Sequence, residues 1–454
     1  MRLVNILESI VAAGVVGAGG AGFPTQGKMG SKAEIFIVNA AECEPVIETD
    51  KFLCRTFAKE IVSTVALIAN FLEAKRAVIA LKGKYKTEIS ALTKAIKELG
   101  SSVEICQMPT FYPAGDEQTM VQFVTGKTAP ERGIPLAVGA VVDNVGTVFN
   151  IYEALKGFPV CKKYLSVACD GRDPVMMYVP IGTSFRECIE RAGIKKTNYA
   201  VINGGPMMGK VLVDEDAINS AVVTKTTGSI IVLPKDHYLV RRSSLTMQKI
   251  KHQAHSACIQ CRFCTDLCPR YQIGHMIHPH LIMRNLWREN QVKSDEELLS
   301  LFGEAMNCCE CGACELYSCP MGLSPRKVNA YFRQKFREKK LSYERYMTPQ
   351  ARPTINQRRI PTERLCARLG IADLAKRHVH GDVIEYTPRE VFIPTSQHIG
   401  KPAEPIVKVG DMVKVGDLVA KAAEGLSANI STGFAGKVTE VSAKGVRITA
   451  GGEA

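Results

Sequence analysis

Cysteine is the residue type in this chain whose spacing points most directly to chemistry. Nine of the sixteen cysteines lie between Cys258 and Cys319, in two runs that each end in Cys-Pro. Three thiolates spaced two residues apart on a tight loop can ligate three irons of a 4Fe–4S cubane, and the fourth thiolate comes from the other run. The spacing therefore predicts two clusters, one on Cys258, Cys261, Cys264 and Cys319, the other on Cys308, Cys311, Cys314 and Cys268.

Structural zinc is the alternative for the same thiols. Zinc sites with four cysteines use two separated C-x2-C pairs, whereas this chain has two triplets with a trailing Cys-Pro. Cys309 adjoins Cys308 and is a candidate to replace it as a ligand. The nearby histidines could form a metal triad, but Pro279 interrupts the helical spacing, so we expect them to be solvated or to cap a helix: His275, His278 and His280. The other seven cysteines are scattered, and we expect them to be small buried hydrophobic side chains.

A glycine-rich segment, Gly17 to Gly22, is the second candidate for chemistry. Glycine lets backbone N–H groups approach a phosphate closely, and Lys28 adds a positive charge. The segment contains G-x-G-x-x-G, but a predicted helix precedes it, whereas a Rossmann fingerprint follows a strand. Taken alone, the segment is compatible with a phosphate cradle or with a flexible interhelical loop.

The elements that must position these residues alternate in the first 160 residues. Helical spacing over Leu3 to Val16, Lys59 to Ala74 and Thr87 to Leu99 alternates with apolar strands at 35–38, 77–81 and 103–105. Strands that alternate with helices of this length predict a parallel sheet covered on both faces. From 161 to 239, short strands with one helix at 184–192 predict an α+β unit. The sequence of residues 240–345 predicts helices around the cysteines.

After the cysteine-rich region, the residue composition changes twice. Between 326 and 377 there are 15 Lys or Arg residues against 4 Asp or Glu, and we expect this stretch to be a solvated linker or a dock for an acidic protein. The last 60 residues contain V-K-V-G-D twice, six residues apart, which predicts two sequential strand–turn units in an all-β module. The formal charge of +13 also suits nucleic acid, but no nucleic-acid module is recognisable. No apolar run approaches the roughly 20 residues of a membrane helix, so we expect a soluble, intracellular protein.

Four segments, in order, resemble the flavin and NADH site of the complex I flavoprotein subunit and of the RnfC family. They are GAGGAGFPT from Gly17, NAAECEP from Asn39, YPAGDE from Tyr112 and DNVGT from Asp143. The resemblance implies that FMN is held by Gly17, Gly19, Gly20, Lys28, Asn39, Glu42, Tyr112, Gly115, Asp116 and Asn144. It implies NADH contacts at Phe23, Glu44 and Glu117. Ala18 and Ala41 depart from the complex I pattern, which has arginine and aspartate there.

The resemblance extends to the other modules and predicts a multidomain α/β and α+β protein. The segment near Val179 is similar to a turn of a soluble-ligand-binding β-grasp domain, and the segment from Asn203 is similar to segments typical of RnfC-like proteins. The last 60 residues are similar to an RnfC-type barrel-sandwich hybrid. The turn near Gly425–Asn429 has no lysine, so we expect no swinging arm. The predicted division is an FMN/NADH-binding α/β domain (1–160), a β-grasp domain (161–239), a ferredoxin-like domain with two 4Fe–4S clusters (240–345), a basic linker (346–394) and the barrel-sandwich hybrid (395–454).

The order of these modules, with the flavin module first and the barrel last, resembles PduS-type cobalamin reductases. That resemblance implies an NADH-dependent oxidoreductase that passes electrons to cobalamin, or to a corrinoid enzyme such as a diol dehydratase, inside or at the shell of a cytoplasmic bacterial microcompartment. It suggests an iron–sulfur shell protein or an adenosyltransferase as partner, and neither nucleic acid nor direct membrane insertion. The alternatives are an RnfC-like electron-input subunit of a membrane NADH:ferredoxin oxidoreductase, a nucleic-acid-binding protein with structural metal clusters, and a non-enzymatic scaffold. A D-x-H-x-x-G corrinoid-binding run is absent from the sequence, since Asp236-His237 lacks the spacing.

Overall fold

The first part of the chain is a parallel α/β layer. In the computed structural model, which describes residues 5–451, helix α1 begins after Asn5, whose side chain accepts a hydrogen bond from the Glu8 amide, and ends at Gly14 in the left-handed conformation (φ +64°). The predicted helix from Leu3 to Val16 is therefore wrong in its C-terminal bound, and its first two residues lie outside the described chain. The elements of this part are α1 (Ile6–Ala13), α2 (Gln26–Met29), β1 (Ile35–Asn39), α3 (Thr49–Thr56), α4 (Ala58–Phe71), β2 (Arg76–Lys82), α5 (Lys86–Leu99), β3 (Glu104–Met108), β4 (Phe111–Tyr112), α6 (Glu117–Thr125), β5 (Ala140–Asn144) and α7 (Val145–Leu155).

The N-terminal sheet has the order β3-β2-β1-β5 and all of its strand pairs are parallel, as predicted. Phe36 and Val38 pack into the core under α4 and α7, while Ile35 and Ile37 face the core under α6. A strand that is buried on both faces reads as a continuous apolar run, which is why 35–38 could be recognised from sequence. The chain leaves β1 toward β2 and β3, then returns to β5 on the other side. This reversal places a crevice at the carboxyl ends of β1 and β5.

A second, mixed sheet follows, with strand order β12-β7-β6-β10-β8-β9, where β12 (Ile384–Glu385) comes from the later connecting segment. Strand β6 pairs antiparallel with β7 and parallel with β10, and α8 packs on one face. The opposite face packs against the cysteine-containing helices through Ala168, Ile202 and Ile231. Its elements are β6 (Lys162–Cys169), β7 (Val175–Pro180), α8 (Phe185–Arg191), β8 (Tyr199–Asn203), β9 (Lys210–Leu212), α9 (Glu215–Asn219) and β10 (Ser229–Pro234).

Short helices surround the cysteines, as the sequence predicted. Their core is aromatic, with the rings of Phe302 and Phe332 stacked at a centroid distance of 3.9 Å. A π-helical turn at Ala313–Ser318 carries Cys314. The helices are α10 (Tyr238–Ser243), α11 (Met247–Ala257), α12 (Phe263–Asp266), α13 (Pro269–Gln272), α14 (Pro279–Asn285), α15 (Asp295–Phe302) and α16 (Pro325–Glu338). Within residues 5–451, no helix is both long enough and apolar enough to cross a membrane.

The connecting segment, residues 346–389, is threaded along the other modules. It contains β11 (Ile360–Pro361), which pairs with β4 of the N-terminal part, α17 (Thr362–Leu369), and β12 (Ile384–Glu385), which pairs with β7 of the mixed sheet. Arg352 donates a hydrogen bond to the carbonyl of Tyr271 (2.9 Å). This segment therefore fastens three parts of the fold together.

Two small antiparallel sheets form the C-terminal part. Their orders are β13-β19-β18-β15 and β14-β16-β17. Each V-K-V-G-D repeat closes a turn next to a short strand, as the predicted strand–turn units require, but of the two repeats only Val413 lies within a strand. Asp411 and Asp417 each accept a hydrogen bond from the amide three residues earlier (2.8 Å in both), which closes the turns. The strands are β13 (Glu390–Pro394), β14 (Glu404–Pro405), β15 (Met412–Val413), β16 (Leu418–Lys421), β17 (Ile430–Ser431), β18 (Gly436–Ser442) and β19 (Gly445–Thr449).

Candidate functional site

The crevice between β1 and β5 collects most of the residues predicted to bind flavin. Asn39 and Asn144 end these strands and are paired in register. The Asn39 amide donates to the carbonyl of Gly115 (2.8 Å), which brings in the turn at 112–117. A Cβ atom on Gly19 would lie 3.3 Å from Cβ of Asn144, so the glycine-rich loop reaches the same place. Three segments far apart in sequence therefore meet at one edge of the sheet.

The glycine-rich loop presents unpaired donors at this edge. Its base is closed by a hydrogen bond from the Gly17 amide to the carbonyl of Phe23 (2.8 Å), and the Ala18 amide donates to Oγ1 of Thr147 (2.9 Å). The next three amides, at 19–21, make no hydrogen bond to any residue between 5 and 451. Gly20 has φ +111° and open space where a Cβ would be. Consecutive free amides of this kind fit a phosphate group.

Lys28 places a cation at β5, next to the start of α6. Its Nζ donates to the carbonyl of Val142 (2.8 Å) and to Oε1 of Glu117 (3.1 Å), and lies 3.7 Å from Oδ1 of Asp143. Burial would lower the pKa of Lys28, but Asp143 and Glu117 outweigh it and the net shift is upward. Burial raises the pKa of Asp143 to about 6, and its Oδ2 finds no partner among the described residues. Lys28, predicted to hold FMN, and Glu117, predicted to contact NADH, are thus neighbours.

Two more carboxyl groups lie deeper in the crevice. Burial, and then the nearby Asp50, raise the pKa of Glu42 well above its usual range. Burial also raises the pKa of Asp50 to about 6, against the hydrogen bond that its carboxylate accepts from Nδ2 of Asn144 (2.7 Å). Lys82 donates to the carbonyl of Glu42 (2.8 Å), and burial lowers the pKa of Lys82 to about 8. These are the shifts of polar groups removed from water: the pKa values of the carboxyl groups rise and that of Lys82 falls.

The residues predicted to contact NADH are separated into different surroundings. Phe23 is half-buried, and its ring covers Gly27, where a Cβ would lie 2.9 Å from Cε1 of the ring. Glu44 instead accepts a hydrogen bond from the amide of Met207 (2.9 Å), and burial raises its pKa to about 7. Its Oε1 has no partner among residues 5–451. Glu44 therefore lies between the crevice and the loop that follows β8.

One group of four thiols surrounds a first cavity, with about 340 Å³ of empty space. Burial, followed by the neighbouring thiols, raises the pKa of Cys264 to about 12. Thiolates packed in this way repel one another, so as ligands they require a cationic metal among them. The group consists of Cys258, Cys261, Cys264 and Cys319.

A second cavity, with about 290 Å³ of empty space, is lined by five thiols. A hydrogen bond with Cys311 and the guanidinium of Arg270 lower the pKa of Cys309 to about 7, against the effect of burial. Both Cys308 and Cys309 line the cavity, so the choice between them stays open. The five are Cys268, Cys308, Cys309, Cys311 and Cys314.

The donor chemistry of both cavities fits a 4Fe–4S cubane. Each cavity offers at least four cysteine sulfurs, the ligand set of such clusters, and each takes its fourth thiol from the other run. The thiols are spread around a space instead of meeting at a point. Among the described residues, no group of three or more His, Cys, Asp or Glu side chains is arranged to hold a single metal ion.

The turn at 112–117 touches the loop of the second cavity directly. Tyr112 is 1% exposed, and its hydroxyl donates a hydrogen bond to the carbonyl of Cys311 (2.6 Å). Asp116 caps α6 through the Thr119 amide (3.0 Å) and pairs with Arg270, two residues after Cys268 (2.8 Å for Nη2 to Oδ1). Burial would raise the pKa of Asp116, but Arg270 holds it below its ordinary value.

Sequence reasoning missed several residues of the site. Asp143 and Asp50 could have been found from the sequence, because Asp143 adjoins the predicted Asn144 and Asp50 follows the acidic segment that begins at Asn39. For Arg270, the only signal in the sequence was its position directly after Cys268-Pro269. The prediction that the three histidines are solvated or helix-capping is wrong for His275, which is 1% exposed and hydrogen-bonded to the carbonyl of Ala129 (3.0 Å). Of the scattered cysteines, five are buried as predicted, whereas Cys43 and Cys106 are half-buried.

Comparison with known protein families gives three matches along the chain. Residues 10–153 match the Nuo51 FMN-binding domain, residues 257–324 a 4Fe-4S dicluster domain, and residues 376–453 the RnfC barrel sandwich hybrid domain. The first contains the crevice, and the second contains both thiol cavities. FMN and two iron–sulfur clusters are thus the cofactors of this fold.

Three curated relatives are similar to this chain. The cobalamin reductase PduS of Salmonella typhimurium is 38% identical over 452 residues, covering 98% of this chain and 97% of the relative. The protein of the same name from Citrobacter freundii is 36% identical over 450 residues, with the same coverage. One component of the proton-translocating ferredoxin:NAD(+) oxidoreductase complex of Clostridium ljungdahlii is 30% identical over 278 residues, covering 60% of this chain and 57% of that component. With identity of this level along its whole length, the chain belongs to the PduS cobalamin reductase family.

Proposed function

We propose that this protein is an NADH-dependent flavin and iron–sulfur oxidoreductase that delivers single electrons to cobalamin and so supplies reduced corrinoid to a diol dehydratase. The observation that carries the proposal is the direct contact between the flavin crevice and the second thiol cavity, through Tyr112 and through Asp116 with Arg270. The family relatives named cobalamin reductase supply the acceptor. FMN, when bound, takes a hydride from NADH and releases electrons singly to cubane clusters.

The residues proposed to hold FMN divide by chemistry. The free amides at 19–21 and Lys28 suit the phosphate, and the side chains at the strand ends suit the polar edge of the ring. The crevice orders these groups before any ligand arrives, because each strand-end amide already has a protein partner. The proposed set is Gly17, Gly19, Gly20, Lys28, Asn39, Glu42, Tyr112, Gly115, Asp116 and Asn144, with Phe23, Glu44 and Glu117 toward NADH.

The two thiol cavities are proposed as an ordered pair. The second cavity is nearest to the flavin crevice, because Tyr112 and Arg270 link them. The first cavity lies nearer to solvent, because Cys261 is exposed and its neighbour Ile259 is 61% exposed. The proposed order is therefore crevice, second cavity, first cavity, acceptor.

The finer division of the chain is also part of the proposal. The antiparallel β6–β7 pair, the α8 crossover and the parallel β6–β10 pair support a β-grasp domain at 161–239. The helical region at 240–345 is proposed as ferredoxin-like, and 395–454 as the barrel-sandwich hybrid. Strand β13, inside the predicted linker 346–394, pairs with β19, so the barrel is proposed to begin near Glu390.

Partners and location rest on the relatives. We propose cobalamin or a corrinoid enzyme as acceptor, with an iron–sulfur shell protein or an adenosyltransferase as a further partner. The proposed location is the cytoplasm, inside or at the shell of a bacterial microcompartment. The second candidate is an RnfC-like electron-input protein of a membrane complex, favoured by the partial match to the Clostridium component. Reduction of free cobalamin by the isolated chain with NADH distinguishes the two.

Metal analysis tests the clusters. Anaerobically prepared protein should contain about eight irons and eight sulfides per chain. Cys264→Ser should remove about half of the iron and leave FMN bound, because Cys264 lines the first cavity and not the flavin crevice. Cys106→Ser is the matched control, since Cys106 is a half-buried cysteine of β3 outside both cavities, and it should keep all the iron. Stoichiometric zinc without iron would contradict the proposal.

Two reductants test the NADH residues. Glu117→Gln and Phe23→Ala should slow flavin reduction by NADH more than reduction by dithionite, because dithionite needs no binding site. The extracted flavin should be FMN rather than FAD. Equal loss with both reductants would assign these residues to flavin binding or folding.

Separate assays of dye reduction and of cobalamin reduction test the path by which electrons leave the protein. Cys261→Ser should leave NADH-driven reduction of a flavin-level dye unchanged and should slow cobalamin reduction by at least tenfold. Cobalamin reduction at the wild-type rate would show that the first cavity serves another acceptor.

A further inference from the structure

The glycine-rich loop is held from outside the N-terminal sheet. At its far end, the carbonyl of Gly22 accepts a hydrogen bond from the Ile399 amide (3.0 Å), which belongs to the C-terminal barrel. A Cβ on Gly22, which has φ +68°, would lie 3.2 Å from Cα of His398 and 2.9 Å from Cγ2 of Thr226. The barrel and the loop before β10 therefore cover this end of the glycine-rich loop.

The near end of the loop is fixed by Lys225. Its ammonium donates to the carbonyls of Gly14 (2.5 Å) and Asn429 (2.6 Å), and its amide donates to Oε1 of Gln397 (3.0 Å). The Asn429 side chain donates in turn to the carbonyl of Val11, in α1 (3.1 Å). Lys225 is 1% exposed, and burial lowers its pKa to about 7. One lysine of the mixed sheet region thus joins the start of the glycine-rich loop to the barrel.

The barrel turn at 425–429 is docked on the protein. Ser427 and Ala428 are buried, and the carbonyl of Ser427 accepts a hydrogen bond from Gln26, in α2 (3.4 Å). The turn therefore packs against the helices on either side of the glycine-rich loop, α2 through Gln26 and α1 through Asn429.

We infer that the barrel and Lys225 hold the glycine-rich loop in its cofactor-binding conformation, so that Lys225, Gln397 and Asn429 are positioning residues for the flavin phosphate. The inference rests on the proposed function, which places FMN at this loop. Glycine-rich segments lose much conformational freedom when they become ordered, and ordering them before binding removes that cost from the affinity. Fixing the carbonyls at both ends leaves the amides at 19–21 available for an anion.

The test uses the full chain with its clusters. Lys225→Met should raise the dissociation constant for FMN, added back to flavin-free protein, by at least tenfold. Hydrogen exchange at residues 14–24 should speed up by a similar factor, while exchange in β1 and the iron content stay at wild-type values. Gln397→Leu removes the acceptor for the Lys225 amide, together with the donor to the Pro394 carbonyl (2.9 Å), and should give a smaller change of the same kind. Arg447→Met, on an exposed ion pair of the barrel, is the matched control and should change neither measurement.

Two results would overturn the inference. One is wild-type FMN affinity and wild-type exchange at 14–24 in both Lys225→Met and Gln397→Leu. The other is a parallel loss of exchange protection in β1 and of iron, which would make these residues general supports of the fold. Failure of the proposed function looks different, because wild-type protein would then bind no FMN while Lys225→Met still loosened the loop.

Discussion

The ion pair between Asp116 and Arg270 is predicted to fasten the turn at 112–117 to the second thiol cavity. Both side chains are largely buried, at 14% and 11% exposure. Removing one member of a buried pair leaves an unpaired charge and costs about 3 kcal/mol or more, whereas replacing both members costs much less. The prediction concerns Asp116→Asn, Arg270→Gln and the double variant. Asparagine is a good N-cap, so Asp116→Asn retains the cap of α6 and isolates the charge.

Native-state hydrogen exchange measures this cost locally. The reporting amides are those of Thr119 and Met120, which donate to the Asp116 side chain (3.0 Å) and carbonyl (2.8 Å). A loss of about 3 kcal/mol in the free energy of local opening corresponds to roughly 150-fold faster exchange. We expect that acceleration in Arg270→Gln and a comparable one in Asp116→Asn. In the double variant, the loss should fall short of the sum of the two single losses by at least about 1.5 kcal/mol.

A surface pair provides the control for this cycle. Arg447 contacts Glu390 and Glu440, and all three side chains are more than one-third exposed. Arg447→Gln should change exchange in β18 and β19 by less than about 0.5 kcal/mol. If the losses in the Asp116 and Arg270 variants add to within about 0.5 kcal/mol, the two residues are not coupled and the link between turn and cavity is refuted.

Three further predictions concern the crevice. Gly115→Ala should lower the FMN-to-protein ratio at least tenfold, because its Cβ would lie 2.7 Å from Cβ of Cys43, whereas Gly30→Ala has open space and should retain flavin. Asp143 has a pKa of about 6 when folded against 3.8 when unfolded, so the folded state holds the extra proton and the stability it contributes is lost as pH rises toward 6. Asp143→Asn should remove this pH dependence of the free energy of unfolding, which is at most about 1.4 kcal/mol per pH unit. In thermal unfolding, the midpoint temperature of the variant should therefore rise relative to that of wild type between about pH 4 and 6.5. Tyr112→Phe leaves a buried carbonyl unpaired and should lower the free energy of unfolding by about 1–3 kcal/mol in denaturant titrations, while a wild-type value would show that water replaces the hydroxyl.

The local features of the site could be predicted from sequence, and its long-range contacts could not. Cysteine spacing fixes which thiols lie on one loop, and apolar runs mark strands that are buried on both faces, so the cavities and the N-terminal sheet follow from short stretches of chain. The pairing of Asp116 with Arg270 joins positions 154 residues apart, and Lys225 reaches an acceptor 211 residues away. Nothing in the spacing of those residues signals the contact, because it arises only when the modules pack.

Two predictions were incomplete, because composition was read without the residues that pair with it. The basic stretch from 326 to 377 was predicted to be a solvated linker or a dock for an acidic protein, and many of its Lys and Arg side chains are exposed. Others are paired within the fold: Arg326 pairs with the buried Glu315, and Lys335 with Glu289. These acids lie outside the stretch, so counting charges inside it overstates the free positive charge. The Val-Lys-Val-Gly-Asp repeats were predicted to be strand–turn units, and the aspartate side chains close the turns, but the strand part of each unit is shorter than the alternation suggests.

The connecting segment bears on how such a protein could be cut or recombined. Ile360 and Pro361 complete the edge of β4, where Phe111 and Tyr112 are at most 5% exposed, and β12 completes the mixed sheet. A fragment that stops at residue 160 would uncover an apolar strand edge, and uncovered edges invite aggregation. The three family matches therefore mark units of sequence that are not units of folding. Gene fusions or truncations that respect those matches but omit residues 346–389 are expected to yield insoluble flavin modules, whereas co-expression with a fragment containing that segment should recover them.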